Sequence, residues 1–182
     1  MPLMVTGHRT LTPPGWKGNP WPNEGNDPVR QQHVLISNIV VTYCVGYVHD
    51  NTPAEFISGM ALGADQMFAM CAIAVRDAGY PSKITAAVPF KGQENAWPAA
   101  SKIKFGQILE QCDETVYVSD PGYTAWKMQV RNQWMVDRAD TVLAIWSGKM
   151  SGGTYNCIEY AHGQGKRIDC INPQTLTLEK EI

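Results

Sequence analysis

Hydrophobic residues in this chain fall into two alternating patterns. Short apolar runs at 2–6, 54–58, 83–88, 114–118, 141–146 and 167–171 have the length and composition of buried strands. Longer segments near 29–49, 65–78, 97–112, 125–139 and 153–164 lie between them and read as helices. Strand and helix alternate to the end, which predicts right-handed βαβ units. The expected fold is α/β: a Rossmann-like, doubly wound, mostly parallel sheet with helices on both faces. No internal repeat interrupts it, and residues 1–182 read as a single domain.

Two segments depart from the pattern. Residues 10–28 are rich in Pro, Gly and Asn and carry Trp16 and Trp21. They leave the sheet directly after the first strand, so they read either as a lid over a ligand or as a surface loop pinned by its tryptophans. In the first helix, Val34, Leu35, Ile36, Ile39, Val40, Val41, Tyr43, Val45, Tyr47 and Val48 cover nearly every face. A helix outside a sheet needs one apolar stripe. The excess points to a second buried face, for which a homodimer interface is the favoured explanation and a helix sandwiched within its own domain the other.

Three of the apolar runs end on Ser or Thr followed by Gly: Thr6-Gly7, Ser58-Gly59 and Ser147-Gly148, the last continuing into Ser151-Gly152-Gly153-Thr154. Glycine permits a tight turn and close backbone approach, and the following helix aims free N–H groups at an anion. Thr6, Gly7 and Arg9 are candidates for phosphate contact after the first strand. After the second, Ser58, Gly59 and Gly63 lead to Asp65, which reads equally as a helix cap or as an acceptor for ribose hydroxyls. Gln93 and Trp97 could read or stack on a base, although Trp97-Pro98 also resembles a helix start. Arg131, beside Asn132, sits near an apolar stripe; it reads as a phosphate ligand or as an ion pair with a carboxylate such as Asp137. Gly152, Gly153 and Thr154 combine successive amides, a hydroxyl and a helix start, the strongest local signal for phosphate. Glu159 is a candidate general base, and Cys157 reads as a small buried filler.

Composition narrows the partners. Hydrophobic residues make up 44% and charged residues 18%, which fits a folded globular chain. The net charge of −2 and the lack of a Lys/Arg run argue against a broad nucleic-acid surface. Cys44, Cys71, Cys112, Cys157 and Cys170 are scattered, which points to free thiols in a reducing, cytoplasmic setting. The four histidines show no metal-ligand spacing, so no metal is expected. No apolar stretch is long enough to span a bilayer, and an immediate strand argues against a signal peptide.

Taken in order, Thr6-Gly7-His8-Arg9, Ser58 to Asp65, Pro89 with Gln93 and Trp97, Arg131-Asn132 with Met135-Val136-Asp137, Ala139-Asp140 and Gly152-Gly153-Thr154 through Ala161 resemble the YpsA-like branch of the SLOG superfamily. The resemblance spans nearly all the chain apart from 10–28. It implies a Rossmann-like fold that binds nucleotides or derivatives such as ADP-ribose or NAD-related molecules. The related LOG phosphoribohydrolases cleave N-glycosidic bonds and place two glutamates in their glycine loop; those positions fall here on Asn156 and Cys157. Deoxyribosyltransferases would likewise place their nucleophilic Glu on Cys157. N-glycosidic cleavage needs a carboxylate. The leading expectation is therefore a nucleotide-binding or sensing module requiring no further cofactor. A glycosidic hydrolase using Asp65 or Glu159 is the alternative. A DprA-like single-strand DNA binder is the third, on the shared Ser58-Gly59-Met60-Ala61 and Arg131-Asn132 motifs.

Overall fold

The computed structural model describes residues 1–19, 22 and 27–182. Its elements are β1 (Pro2–Gly7), α1 (Pro28–Asp50), β2 (Ala54–Ser58), α2 (Ala64–Asp77), β3 (Ser82–Val88), α3 (Ala99–Leu109), β4 (Glu114–Tyr117), α4 (Ala125–Arg138), β5 (Thr141–Ile145), α5 (Gly153–Gly163), β6 (Arg167–Asn172) and β7 (Thr177–Glu179). One seven-stranded sheet runs β4-β3-β2-β1-β5-β6-β7. Every neighbouring pair from β4 to β6 is parallel, and β7 alone returns antiparallel to β6. The expected α/β architecture is thus present, with a short closing strand that the apolar runs did not announce.

Strand periodicity assigns the layers. Successive side chains point to opposite faces. Leu3 and Val5 on β1, Phe56 on β2, and Leu143 and Ile145 on β5 join the cluster under α1, α2 and α3. Their neighbours Met4, Ile57, Val142 and Ala144 join the cluster under α4 and α5. β1 is buried on both faces along Leu3–Thr6, as a central parallel strand must be.

α1 begins at Pro28, and the Asp27 carboxylate accepts from Val29 N–H at 2.9 Å as its N-cap. Gln32, Ile36, Val40, Cys44 and Val48, four residues apart, form its buried stripe. Ile39, Val41, Tyr43, Val45 and Tyr47 are half-buried against the same core, so much of the apolar excess is used within the domain. Val34 (52% exposed) and Leu35 (46%) are left outside.

Several expected boundaries shift, and two of the shifts bear on the site. The α3 helix starts at Ala99, with Pro98 as its N-cap residue, because turns occupy 91–96 before it. α2 starts at Ala64 with Gly63 as its N-cap residue, so Asp65 lies inside the first turn and is not the cap. In the long connection after β1, Leu11 is fully buried, and the Trp16 indole N–H donates to Asn19 O at 2.9 Å. Trp21 and most of the remaining expected lid, residues 20 and 23–26, lie outside the described residues.

Candidate functional site

Strand order reverses beside β1: β2 lies on one side and β5 on the other. A doubly wound sheet opens a crevice at the carboxyl ends of the two strands flanking such a reversal. Two of the predicted glycine turns, after β1 and after β5, border this crevice.

They meet through His8. Its Nε2 accepts from the Ser147 backbone N–H at 3.0 Å, and the Ser147 hydroxyl lies 2.9 Å from the same nitrogen. An accepting Nε2 requires the proton on Nδ1, the neutral tautomer. Burial lowers the His8 pKa below its ordinary value, and the nearby Lys149 charge lowers it further. One layer down, the buried Thr6 side chain of β1 faces the buried Cys157 thiol of α5. Burial pushes that thiol up to about 11, so Cys157 is an inert filler, as its small apolar character suggested.

The start of α5 is open. Gly152 has φ +91°, a left-handed value that favours glycine, and no side chain caps the helix. Asn156 N–H donates to Gly152 O at 3.0 Å, while the Gly153, Thr154 and Tyr155 amides have no acceptor among the described residues. Nothing lies within 4 Å of a Cβ built on Gly152 or Gly153. Free amides at a helix N-terminus facing open space attract anions. Arg9 and Lys149 are exposed on the flanking loops and form no ion pair among the described residues. Trp146 and Tyr155 stack beside them, ring centroids 6.3 Å apart. His8, Lys149 and this aromatic pair went unremarked as ligand candidates in the sequence; their place immediately after Gly7 or around Gly148 was the available signal.

The turn after β2 is built differently, as a lock. The Ser58 hydroxyl, wholly buried, donates to Asp65 O at 2.8 Å and accepts from Met60 N–H at 3.2 Å. Met60 takes φ 59°, rare for a residue with a side chain, and its carbonyl accepts from the amides of Gln66 and Gln93 at 3.4 and 3.3 Å. The Asp65 carboxylate accepts from Ala61 N–H at 3.2 Å and from Arg131 at 3.1 Å. Arg131, 5% exposed, also donates to the Gly59 carbonyl. A Cβ on Gly59 would overlap this guanidinium, and one on Gly63 would overlap the Arg9 carbonyl. Burial drives Asp65 above its ordinary pKa; the Arg131 charge opposes this, and the net displacement is upward.

The expected site residues therefore separate into two groups. Thr6, Gly7, Arg9, Gly152, Gly153 and Thr154 gather at the crevice. Ser58, Gly59, Gly63, Asp65, Gln93 and Arg131 interlock beneath it, and buried Asn132 follows Arg131 on α4. Arg131 does pair with a carboxylate, but with Asp65; the suggested Asp137 instead accepts from the Tyr160 hydroxyl at 2.8 Å. Trp97 packs edge-to-face on Phe105 at 5.5 Å, within the α3 side of the core. Glu159 is exposed on α5 beside Tyr155, two residues beyond the inward-facing Cys157. The described residues contain no cluster suited to holding a metal, and no described helix is long and apolar enough to cross a membrane.

A doubly wound α/β domain whose strand order reverses beside a central β1 is a Rossmann-like domain. The chain belongs to the YpsA family, described as the YspA SLOG family, whose profile matches residues 29–176. The resemblance read from the motifs is thereby borne out. A prophage-derived protein of Bacillus subtilis (strain 168), YoqJ, is 34% identical over 118 residues, covering 59% of this chain and 68% of that protein. A UPF0398 protein of Listeria monocytogenes is 24% identical over 144 residues, covering 76% and 78%. Among solved structures, DNA processing protein A of Streptococcus pneumoniae superposes with TM-score 0.61 at 18% identity, over 93% of this chain. DNA processing protein A of Helicobacter pylori, whose single-stranded DNA binding mode has been described, superposes with TM-score 0.57 at 14% identity, over 94%. This chain spans 50% of the pneumococcal protein and 65% of the Helicobacter one. At these identities the likeness is one of fold.

Proposed function

We propose that this chain binds a nucleotide or nucleotide derivative, of the ADP-ribose, NAD or nucleoside-phosphate type, at the C-terminal edge of its sheet and acts as a binding or sensing module. The observation that carries the reading is the uncapped start of α5, its free amides opposite the Gly7–His8 turn at the strand reversal. Phosphate oxygens would sit on the amides of Gly153 and Thr154, with Arg9 neutralising charge. The exposed side of the Trp146–Tyr155 stack offers an apolar platform for a base. A cytoplasmic setting is the one we favour for it; the α1 excess that suggested a homodimer is largely spent within the domain.

Binding without turnover is favoured over N-glycosidic cleavage. Asn156 and Cys157 stand where a catalytic carboxylate would be needed, Asp65 is held by Arg131, and Glu159 faces outward. Incubation with AMP, NAD, ADP-ribose and cyclic ADP-ribose tests both readings at once. A raised melting temperature with no product supports the module. Release of free base, lost in Asp65→Asn or Glu159→Gln, supports the hydrolase.

A second reading has its own observation. Tyr117, Tyr123 and Trp126 are 48%, 73% and 60% exposed around the end of β4 and the start of α4, along the same sheet edge. Exposed aromatic rings in series suit the stacking of single-stranded bases. Binding to an oligonucleotide that weakens steeply with salt, with no response to mononucleotides, would favour it.

A further inference from the structure

The outer surface of the α1–α2–α3 layer holds a groove of about 790 Å³, whose Leu62-Gly63 rim adjoins the His8–Arg9 backbone. That volume is in the range of small-molecule sites. Val34, Leu62, Met67 and Met70 supply its apolar floor and walls. Val34 is 52% exposed and Met70 38%, a contiguous apolar surface on adjacent helices that nothing in the chain covers among the described residues. Methionine side chains adapt to ligands of irregular shape.

Among the described residues, the ionisable side chains lining this floor are all basic, beside the neutral Ser37, Asn38, Gln66 and Ser101. Arg30, His33 and Lys104 line the groove, and no Asp or Glu does so among the described residues. Arg30 and Lys104 form no ion pair among the described residues. His33 Nε2 is buried without a hydrogen-bond partner, an unusual state for a polar atom. The carboxylate that does bear on His33, Asp27, is committed to capping α1.

We propose that this groove binds a small amphipathic anion: an apolar body over Val34, Met67 and Met70, with a carboxylate, sulfonate or phosphate headgroup between Lys104, Arg30 and His33. A second copy of this chain is a poorer occupant. A two-fold interface would set the patch against itself and bring its cations face to face. The proposal stands apart from the nucleotide reading, since it shares neither the α5 amides nor Arg9.

The test uses the intact protein and 8-anilinonaphthalene-1-sulfonate as a fluorescent probe, with dodecanoate as competitor. Saturable probe binding, displaced by dodecanoate and untouched by inorganic phosphate, is expected. Val34→Glu should weaken it by about tenfold or more, and Lys104→Ala by about fivefold. Leu178→Glu, an exposed position on β7, should leave it unchanged. Melting curves should match wild type for all three variants, because each site is exposed or makes no ion pair. Equal probe binding by wild type and both groove variants overturns the proposal. So does a wild-type dimer, seen by sedimentation, that Val34→Glu converts to monomer, because the groove would then be filled by a second copy.

Discussion

The Arg131 guanidinium and the Asp65 carboxylate meet at 3.1 Å just past the end of β2, with side-chain exposures of 6% and 7%. Arg131 belongs to α4 on one face of the sheet and Asp65 to α2 on the other. The pair ties the two helical layers together across the sheet edge, and the Gly59 carbonyl completes the knot. It sets the floor of the crevice, while the α5 amides form its rim.

Breaking this pair from one side leaves an uncompensated buried charge. Arg131→Ala is expected to cost about 3–5 kcal/mol of unfolding free energy. Replacing both partners together, Arg131→Met with Asp65→Leu, should cost less than either single change summed with the other. Urea denaturation of the four proteins closes the cycle.

Gly153 offers a test of the rim without disturbing the fold. A Cβ there meets nothing within 4 Å. Gly153→Glu places a carboxylate where the bound phosphate would sit and also suits the helix N-terminus. Affinity for ADP-ribose or AMP should fall by about tenfold or more, ~1.4 kcal/mol, with the unliganded melting temperature equal or higher. Arg9→Ala should weaken the same ligands without loss of stability. Calorimetric titration beside thermal melts reads both.

His8 gives the crevice a pH dependence. Burial, then Lys149, lowers its folded pKa below the unfolded value of about 6.5. The neutral ring is the form that accepts from Ser147 N–H. A lowered folded pKa means this contribution is present above about pH 6.5 and is lost as pH falls through that value toward the folded pKa. His8→Gln keeps an acceptor but cannot take up a proton. Between pH 7.5 and 5 its melting temperature should fall less than that of wild type.

Asp169 is expected to contribute to stability in acid. Its side chain is wholly buried; the burial alone would raise its pKa, but Tyr43 OH at 2.6 Å, Arg167, and Glu181 N–H at 3.0 Å outweigh that and hold it below the usual carboxylate value. A depressed folded pKa contributes stability above the unfolded value of about 3.9 that disappears as pH falls through the folded one. Asp169→Asn should be less stable at pH 7, and its stability should decline less steeply than wild type below about pH 4, as measured by acid titration of the far-ultraviolet circular dichroism.

The central parallel strands were legible because burial on both faces leaves an unbroken apolar run, as at Leu3–Val5 and Val142–Ile145; β4, exposed at the sheet edge, was legible only by its place in the alternation. β7 was not: Thr177, Leu178 and Glu179 are all exposed, and a three-residue edge strand has too few buried positions to leave a pattern. The glycine turns after β1 and β5 could be placed from sequence because a sheet of this kind forces them to one edge. The turn after β2 looked the same in sequence, yet its Ser58 hydroxyl is spent on the Asp65 and Met60 backbone, its Asp65 carboxylate on Arg131 and its Met60 carbonyl on Gln66 and Gln93. Those partners come from other layers or from as far as 72 residues away, and no local spacing encodes which of several carboxylates an arginine will meet. Asp137 was nearer in the chain, and Asp65 was nearer in space.

β7 also bears on how the molecule avoids its own kind. β6 carries Ile168, Cys170 and Ile171 and would otherwise present a bare ladder of backbone donors and acceptors at the sheet's border. The antiparallel return of three exposed residues occupies that ladder and turns a threonine, a leucine and a glutamate outward. Cutting the chain before Thr177 should leave the crevice intact but bare the Cys170–Asn172 edge of β6 as a template for strand pairing with another chain.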